Sequence, residues 1–148
     1  MKYRRLGRSN LQVSELCLGT MMFGDQTDEK ESAAILDCCR AHGVNFVDTA
    51  DVYTLGASEA ILGRLMKADR HDWVLASKVG NAMSDRKNQV RYSRKWMLQE
   101  LDASLDRLQT DYVDVWYLHR DFPGTNDEEA LRAIDDAIRA GKVRYWGV

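Results

Sequence analysis

Four side chains could do chemistry together: Asp48, Tyr53, Lys78 and His119. Each lies at or just beyond the end of a short, apolar, β-prone stretch. Asp48 and Tyr53 belong to Asn45-Phe46-Val47-Asp48-Thr49-Ala50-Asp51-Val52-Tyr53. Lys78 follows Trp73-Val74-Leu75-Ala76-Ser77, and His119 follows Tyr112-Val113-Asp114-Val115-Trp116-Tyr117-Leu118. A phenol ordinarily titrates at about pH 10 and is a poor acid at neutral pH unless phenolate is stabilised. An ammonium beside it supplies that stabilisation, which is the part Lys78 can play. A carboxylate paired with the ammonium holds it in place, and Asp48 fits that part. An imidazole beside the phenol can donate a hydrogen bond to a substrate oxygen and orient it. Together they make a site that gives a proton to a carbonyl oxygen as negative charge develops there. The complementary partner is a hydride donor, usually a nicotinamide.

The four can act together only if strands deliver them to one place. Taken singly, a lysine after a strand is most simply a surface lysine, and a histidine there a satisfied turn residue. What joins them is the shared position, since loops at the carboxyl ends of parallel strands are where α/β proteins keep their chemistry. The chain in order supports such a layout. Residues 2–13 read as a β-hairpin around Gly7-Arg8-Ser9-Asn10. Glu15 to Gly19 reads as a short buried strand and Gly19 to Gly24 as a loop. Asp28 to Ala41 has helical spacing, an acidic start and a stop at Gly43. After the strand at 45–48, Ser58 to Lys67 is expected to be a helix capped by Ser58 or the residue before it, with Glu59 suiting its positive end. The strand ending at Lys78 leads into a polar loop over about 80–92, long enough to suggest function or disorder. Ser93 caps an amphipathic helix with Met97, Leu98, Leu101, Leu105 and Leu108 on one side. The strand ending at His119 is followed by a turn at Asp121-Phe122-Pro123-Gly124. A helix then starts at Asn126 or Asp127 and ends at Gly141, and a fifth strand begins at Val143.

Strands alternating with amphipathic helices make parallel βαβ units. Two architectures fit: an open doubly wound sheet and a (β/α)8 TIM barrel. The open dinucleotide-binding sheet usually carries G-x-G-x-x-G after its first strand. Here the glycines are Gly19 and Gly24, with Thr20 and bulky residues between. That loop is poorly built to cradle a pyrophosphate, and the barrel is the better fit. The 148 residues are expected to form one partial barrel domain: hairpin, about four βα units and the fifth strand.

Composition narrows the function. A net charge of -2 leaves no electrostatic footprint for nucleic acid or an anionic membrane. No apolar run approaches the roughly 20 residues needed to span a bilayer, and no secretory leader is evident. Cys17, Cys38 and Cys39 make no disulfide framework, so a cytoplasmic setting is expected. No Cys/His spacing suits a metal. The basic stretch Arg86, Lys87, Arg91, Arg94 and Lys95 could be an anion site at the barrel mouth. The balanced charge favours a solvated loop and helix start. Trp73, Trp96, Trp116 and Trp146 are expected in the core and between helices and sheet.

Phe46 to Tyr53, Ser77-Lys78-Val79-Gly80, Asp114 to His119 and Gly147-Val148 resemble successive motifs of the aldo-keto reductases. The hairpin and Leu18-Gly19-Thr20 do so too, and the match runs in order through the chain. The resemblance implies a (β/α)8 barrel that uses NADPH, less often NADH, to reduce aldehydes and ketones. It implies Tyr53 as general acid, Lys78 and Asp48 as the groups that tune it, and His119 as the group that orients the carbonyl. Gly19, Thr20 and Met21 would line the nicotinamide side, with Asp48 near its ribose. Members of that family are about twice this length, in keeping with eight-stranded barrels, and grip the cofactor phosphates with loops after strands seven and eight. The 148 residues match the first half and a little more, so weak or absent NADPH turnover is expected of them alone. The same family resembles channel β subunits, in which the barrel is an interaction module. A half-barrel would also expose strand edges at Glu15–Gly19 and Val143–Val148, and these favour self-association.

Overall fold

The computed structural model describes residues 1–148. Strands β1 (Tyr3–Arg5) and β2 (Gln12–Ser14) pair antiparallel as a separate hairpin. Five further strands form one parallel sheet in chain order: β3 (Cys17–Gly19), β4 (Phe46–Asp48), β5 (Val74–Val79), β6 (Val113–Leu118) and β7 (Val143–Gly147). Helices α1 (Glu29–Ala41), α2 (Ala57–Leu65), α3 (Arg94–Leu108) and α4 (Asp127–Arg139) alternate with them. This is the sheet of a partial (β/α)8 barrel, as the alternation of elements implies.

Register decides which residues share a face. Gly19 lies opposite Asp48, Asp48 opposite Ala76, and Lys78 opposite Tyr117. Side chains alternate along a strand, so Asp48, Ala76 and Lys78 all point to the same side. On that inner face Val74, Ala76 and Val115 pack with Val13 of the hairpin, and Leu6, Leu11, Phe46 and Tyr117 border them. The hairpin thus fills the inner face below the site. The outer face buries Val47, Leu75, Val79 and Trp116 under the helices. From α3 come Met97, Leu101, Leu105 and Leu108; from α4 come Ala130, Ala133, Ile134 and Ala137. Three helices begin with side-chain caps: Asp28 accepts from Glu31 N, Ser93 from Trp96 N and Asn126 from Glu129 N.

Several expectations need correction. Helix α2 starts at Ala57, not Ser58. Its cap is Gly56, at φ +92° and with no side-chain acceptor, and Ser58 and Glu59 are fully buried. They cannot serve as a solvent-facing cap and first-turn acid, because the first turn of α2 is driven into the space behind the sheet. Strand β3 is not buried: Cys17 and Gly19 are exposed and Leu18 is half-buried, since β3 is an edge strand with β4 as its only neighbour. Trp146 sits on the opposite edge, in β7, and is 45% exposed, whereas Trp73, Trp96 and Trp116 are buried as expected. In α1 only Ser32 and Leu36 are buried; Ala34 and Cys38 face outward, so its apolar stripe is narrower than the spacing suggests.

Candidate active site

The carboxyl ends of β4, β5 and β6 bring Asp48, Tyr53, Lys78 and His119 together. Lys78 is the hub. Its Nζ donates to Asp48 Oδ2 at 2.6 Å, to the Thr49 carbonyl at 2.8 Å and to the Tyr53 hydroxyl at 3.1 Å. An ammonium has three N–H donors, so all are engaged. The Tyr53 oxygen receives one of them, which leaves the phenol's own proton free to go elsewhere. Nζ also lies 4.7 Å from the centre of the Tyr53 ring. The His119 and Tyr53 rings meet edge to face, with centroids 6.0 Å apart and an angle of 87°.

His119 is electrostatically distinct. Burial, and next the positive charge of Lys78, hold its imidazole below the ordinary histidine range. The ring is therefore neutral at physiological pH. Its Nδ1 is buried and has no partner within the protein. A neutral imidazole at that place keeps one N–H to donate.

The elements around these groups explain their precision. Tyr53 opens a 3-10 turn, Tyr53–Gly56, in which Thr54 and Leu55 both stand in the left-handed region at φ 49° and 50°. Such conformations cost about 1–3 kcal/mol each for residues with side chains and persist only where surroundings enforce them. Thr54 is held by its hydroxyl, which donates to the Phe23 carbonyl. The loop over 80–92 is ordered by Tyr92, which donates its hydroxyl proton to the Arg120 carbonyl and accepts from Arg120 N. That ties the loop after β5 to the residue following His119. Gly80, at φ +129°, lets the Tyr92 ring pass, since a Cβ there would lie 2.3 Å from it. Of the basic stretch, Arg94 pairs with Asp136 of α4 and belongs to helix packing.

A second layer was not legible in sequence. Ser58 bonds both Thr20 and Thr49 in a buried hydroxyl chain that joins the ends of β3 and β4 to α2. Glu59 accepts from Ser77, the neighbour of Lys78, and from Arg107 of α3. The only available signal was the pair Ser58-Glu59 directly after Gly56, and it reads equally well as a helix start.

An open cavity of about 460 Å3 is bordered by three of the four groups, Asp48, Lys78 and His119, together with Cys17, Gly19 and Tyr117, and Tyr53 does not line it. At Gly19 an added side-chain carbon would meet nothing within 4 Å, and Met21 is exposed. The Thr20 hydroxyl is buried and bonded to the Asp48 carbonyl and to Ser58. Cys17 stands on the open edge of the cavity, where partial desolvation by the neighbouring strands and the charge of Asp48 push its thiol up, so it stays protonated.

The fold is a parallel α/β barrel segment with a carboxylate, a phenol, an ammonium and an imidazole gathered at the carboxyl end of its strands. Comparison with known proteins agrees. The model of the Aldo/keto reductase family matches residues 15–148. A probable voltage-gated potassium channel subunit beta from Arabidopsis thaliana is 43% identical, over 99% of this chain and 46% of its own length. The uncharacterized oxidoreductase YqkF from Bacillus subtilis (strain 168) is 36% identical, over 100% and 48%. The aldo-keto reductase AKR11C1 from Bacillus halodurans, in its holo form, superposes with a TM-score of 0.91 at 38% identity, covering 99% of this chain and 49% of that one. The chain belongs to the aldo-keto reductase family. It spans about half the length of the curated relatives it matches.

Proposed function

We propose that the protein to which these residues belong reduces aldehydes or ketones to alcohols with NADPH, less often NADH, and that Tyr53 donates the proton. The observation that carries this is the three-way contact at Lys78 Nζ, which joins Asp48 and Tyr53 through one ammonium. When bound, the nicotinamide supplies the hydride. Gly19, the backbone of Thr20, Met21 and Asp48 are the residues of this chain that would hold it. The substrate carbonyl oxygen accepts a hydrogen bond from neutral His119 and lies within reach of the Tyr53 hydroxyl. As negative charge grows on that oxygen, Tyr53 gives up its proton. Lys78 stabilises the phenolate left behind, and Asp48 keeps Lys78 from turning away.

The test is a single-turnover experiment. NADPH is added while tryptophan fluorescence is followed, and a generic aldehyde is then supplied. Binding with slow oxidation is expected for the 148-residue chain, and weak or absent steady-state turnover. Tyr53→Phe should bind equally well and lose about 10²–10⁴-fold in the oxidation rate, the usual worth of a positioned acid. Equal rates for the two proteins would remove Tyr53 from the chemistry.

The 43% identity to a channel β subunit favours a second reading, an interaction module that binds the cofactor without turning it over. Cofactor binding with no oxidation in single turnover would support it against the first.

A further inference from the structure

Behind the site, on the helix side of the sheet, three carboxyl groups from three elements approach one another. They are Asp51 of the turn after β4, Glu59 of α2 and Glu100 of α3. Asp51 and Glu59 are fully buried, and Glu100 is nearly so. One cation serves them. Arg107 donates through Nε to Glu59 at 2.8 Å and through Nη2 to Glu100 at 2.5 Å and to Ser104. Both glutamates are thereby matched. Asp51 is not: its Oδ1 accepts from Val52 N at 2.6 Å, and its Oδ2 is buried with no partner.

Asp51 occupies a particular place in the chain path. Its backbone N–H donates to the carbonyl of Lys78, and Tyr53 N donates to the carbonyl of Ala50. The short segment between Asp48 and Tyr53 is therefore clipped to β5 at Lys78 itself, and the clip is the residue with the unmatched carboxyl. A third negative charge here would face Glu59 and Glu100 with only Arg107 to offset all three.

We propose that Asp51 is a positioning residue, which sets the turn carrying Tyr53 against the strand carrying Lys78 from behind the site. This rests on the Tyr53–Lys78 pair being the proton-donating pair of the preceding subsection. Burial, then the charges of Glu59 and Glu100, push the Asp51 carboxyl up to about 8, against a lowering by Val52 N–H and Arg107. Tyr92, from the loop before α3, feels the same carboxyl. At neutral pH Asp51 is an uncharged acid. Ionisation at higher pH sets it against both glutamates, loosens the turn and lengthens the Lys78–Tyr53 contact.

The test uses 13Cζ-tyrosine-labelled protein, followed by NMR from about pH 6 to 10, with the Tyr53 signal assigned through Tyr53→Phe. The parent signal should show an inflection at about pH 8 besides its own ionisation. Asp51→Asn, which keeps the acceptor for Val52 and is always uncharged, should retain the low-pH position and lose that inflection. Asp51→Ala should displace the signal at every pH. Persistence of the inflection in Asp51→Asn, or an undisplaced signal in Asp51→Ala, would overturn the proposal. Lys78→Met separates the two layers. If it leaves the Tyr53 signal unmoved, the donor pair itself fails; if it moves the signal and Asp51→Ala does not, only the positioning role fails.

Thermal unfolding guards against a folding artefact. The folded protein holds a proton that the unfolded chain, with its carboxyl at the ordinary 3.8, has released, so parent stability falls as pH rises between these values. Asp51→Asn should therefore raise the Tm at about pH 7.5 and not at about pH 4. A lower Tm at pH 7.5 counts against an uncharged Asp51.

Discussion

His119 is the residue whose environment makes the sharpest solution prediction. In the unfolded chain its imidazole titrates at about 6.5. In the fold, burial and Lys78 hold it lower. Below about pH 6.5 the unfolded chain takes up the proton first, so stability is lost as pH falls through that value. Replacing His119 with Gln should flatten the loss between about pH 7 and 5 without changing stability at pH 8 by more than about 1 kcal/mol, a typical limit for a partly exposed site. Urea titrations across that range read the slope, and parallel slopes for parent and variant would remove the assigned neutral state. At this scale the sequence was informative. Asp48, Tyr53, Lys78 and His119 were all visible as polar groups closing apolar runs, and they do meet. Asp51 was visible too, but nothing in Asp48-Thr49-Ala50-Asp51 tells which acid points into the cavity and which into the core.

Helix α2 is the element that holds the site from behind. It carries Ser58 to the ends of β3 and β4, and Glu59 to Ser77 and Arg107. Gly56 suits the position just before it, because its φ of +92° lies in the left-handed region and a Cβ would press on the Arg107 side chain. Arg107 is the single cation between Glu59 and Glu100, so Arg107→Met should cost about 2–4 kcal/mol, near the range for breaking a buried pair by removing one partner. Adding Glu59→Gln and Glu100→Gln should recover much of it, since the uncompensated charges are then gone. Urea unfolding of the single and triple variants checks both statements; a triple variant no more stable than Arg107→Met would contradict them. Helical spacing located α3 and α4 because each buries one stripe under solvent-facing acids and bases. It misplaced the start of α2, whose first turn is buried on its polar side and so shows no such contrast.

On the scale of the whole molecule, the parallel sheet has two edges, β3 and β7, each paired on one side only. Leu16, Tyr145, Trp146 and Val148 are exposed along or beside them. Unpaired edges with apolar side chains recruit other strands, and we expect the 148-residue chain to self-associate as its concentration rises. Trp146→Lys should weaken this without unfolding the chain. Sizing over a wide concentration range is the measurement, and a sharp monomer peak throughout would refute it. No helix is long and apolar enough to cross a membrane.

The alternation of apolar runs with amphipathic stretches was enough to order the strands and helices, because period and capping are local properties of the chain. It was enough, too, to nominate the four groups, because side chains just beyond parallel strands share one end of the sheet. Which strands became edges, which side of α2 turned inward, and which groups surround Asp51 depended on neighbours far along the chain, such as Ser77, Glu100 and Arg107. Burial and field are sums over the assembled molecule, and no window of sequence contains them.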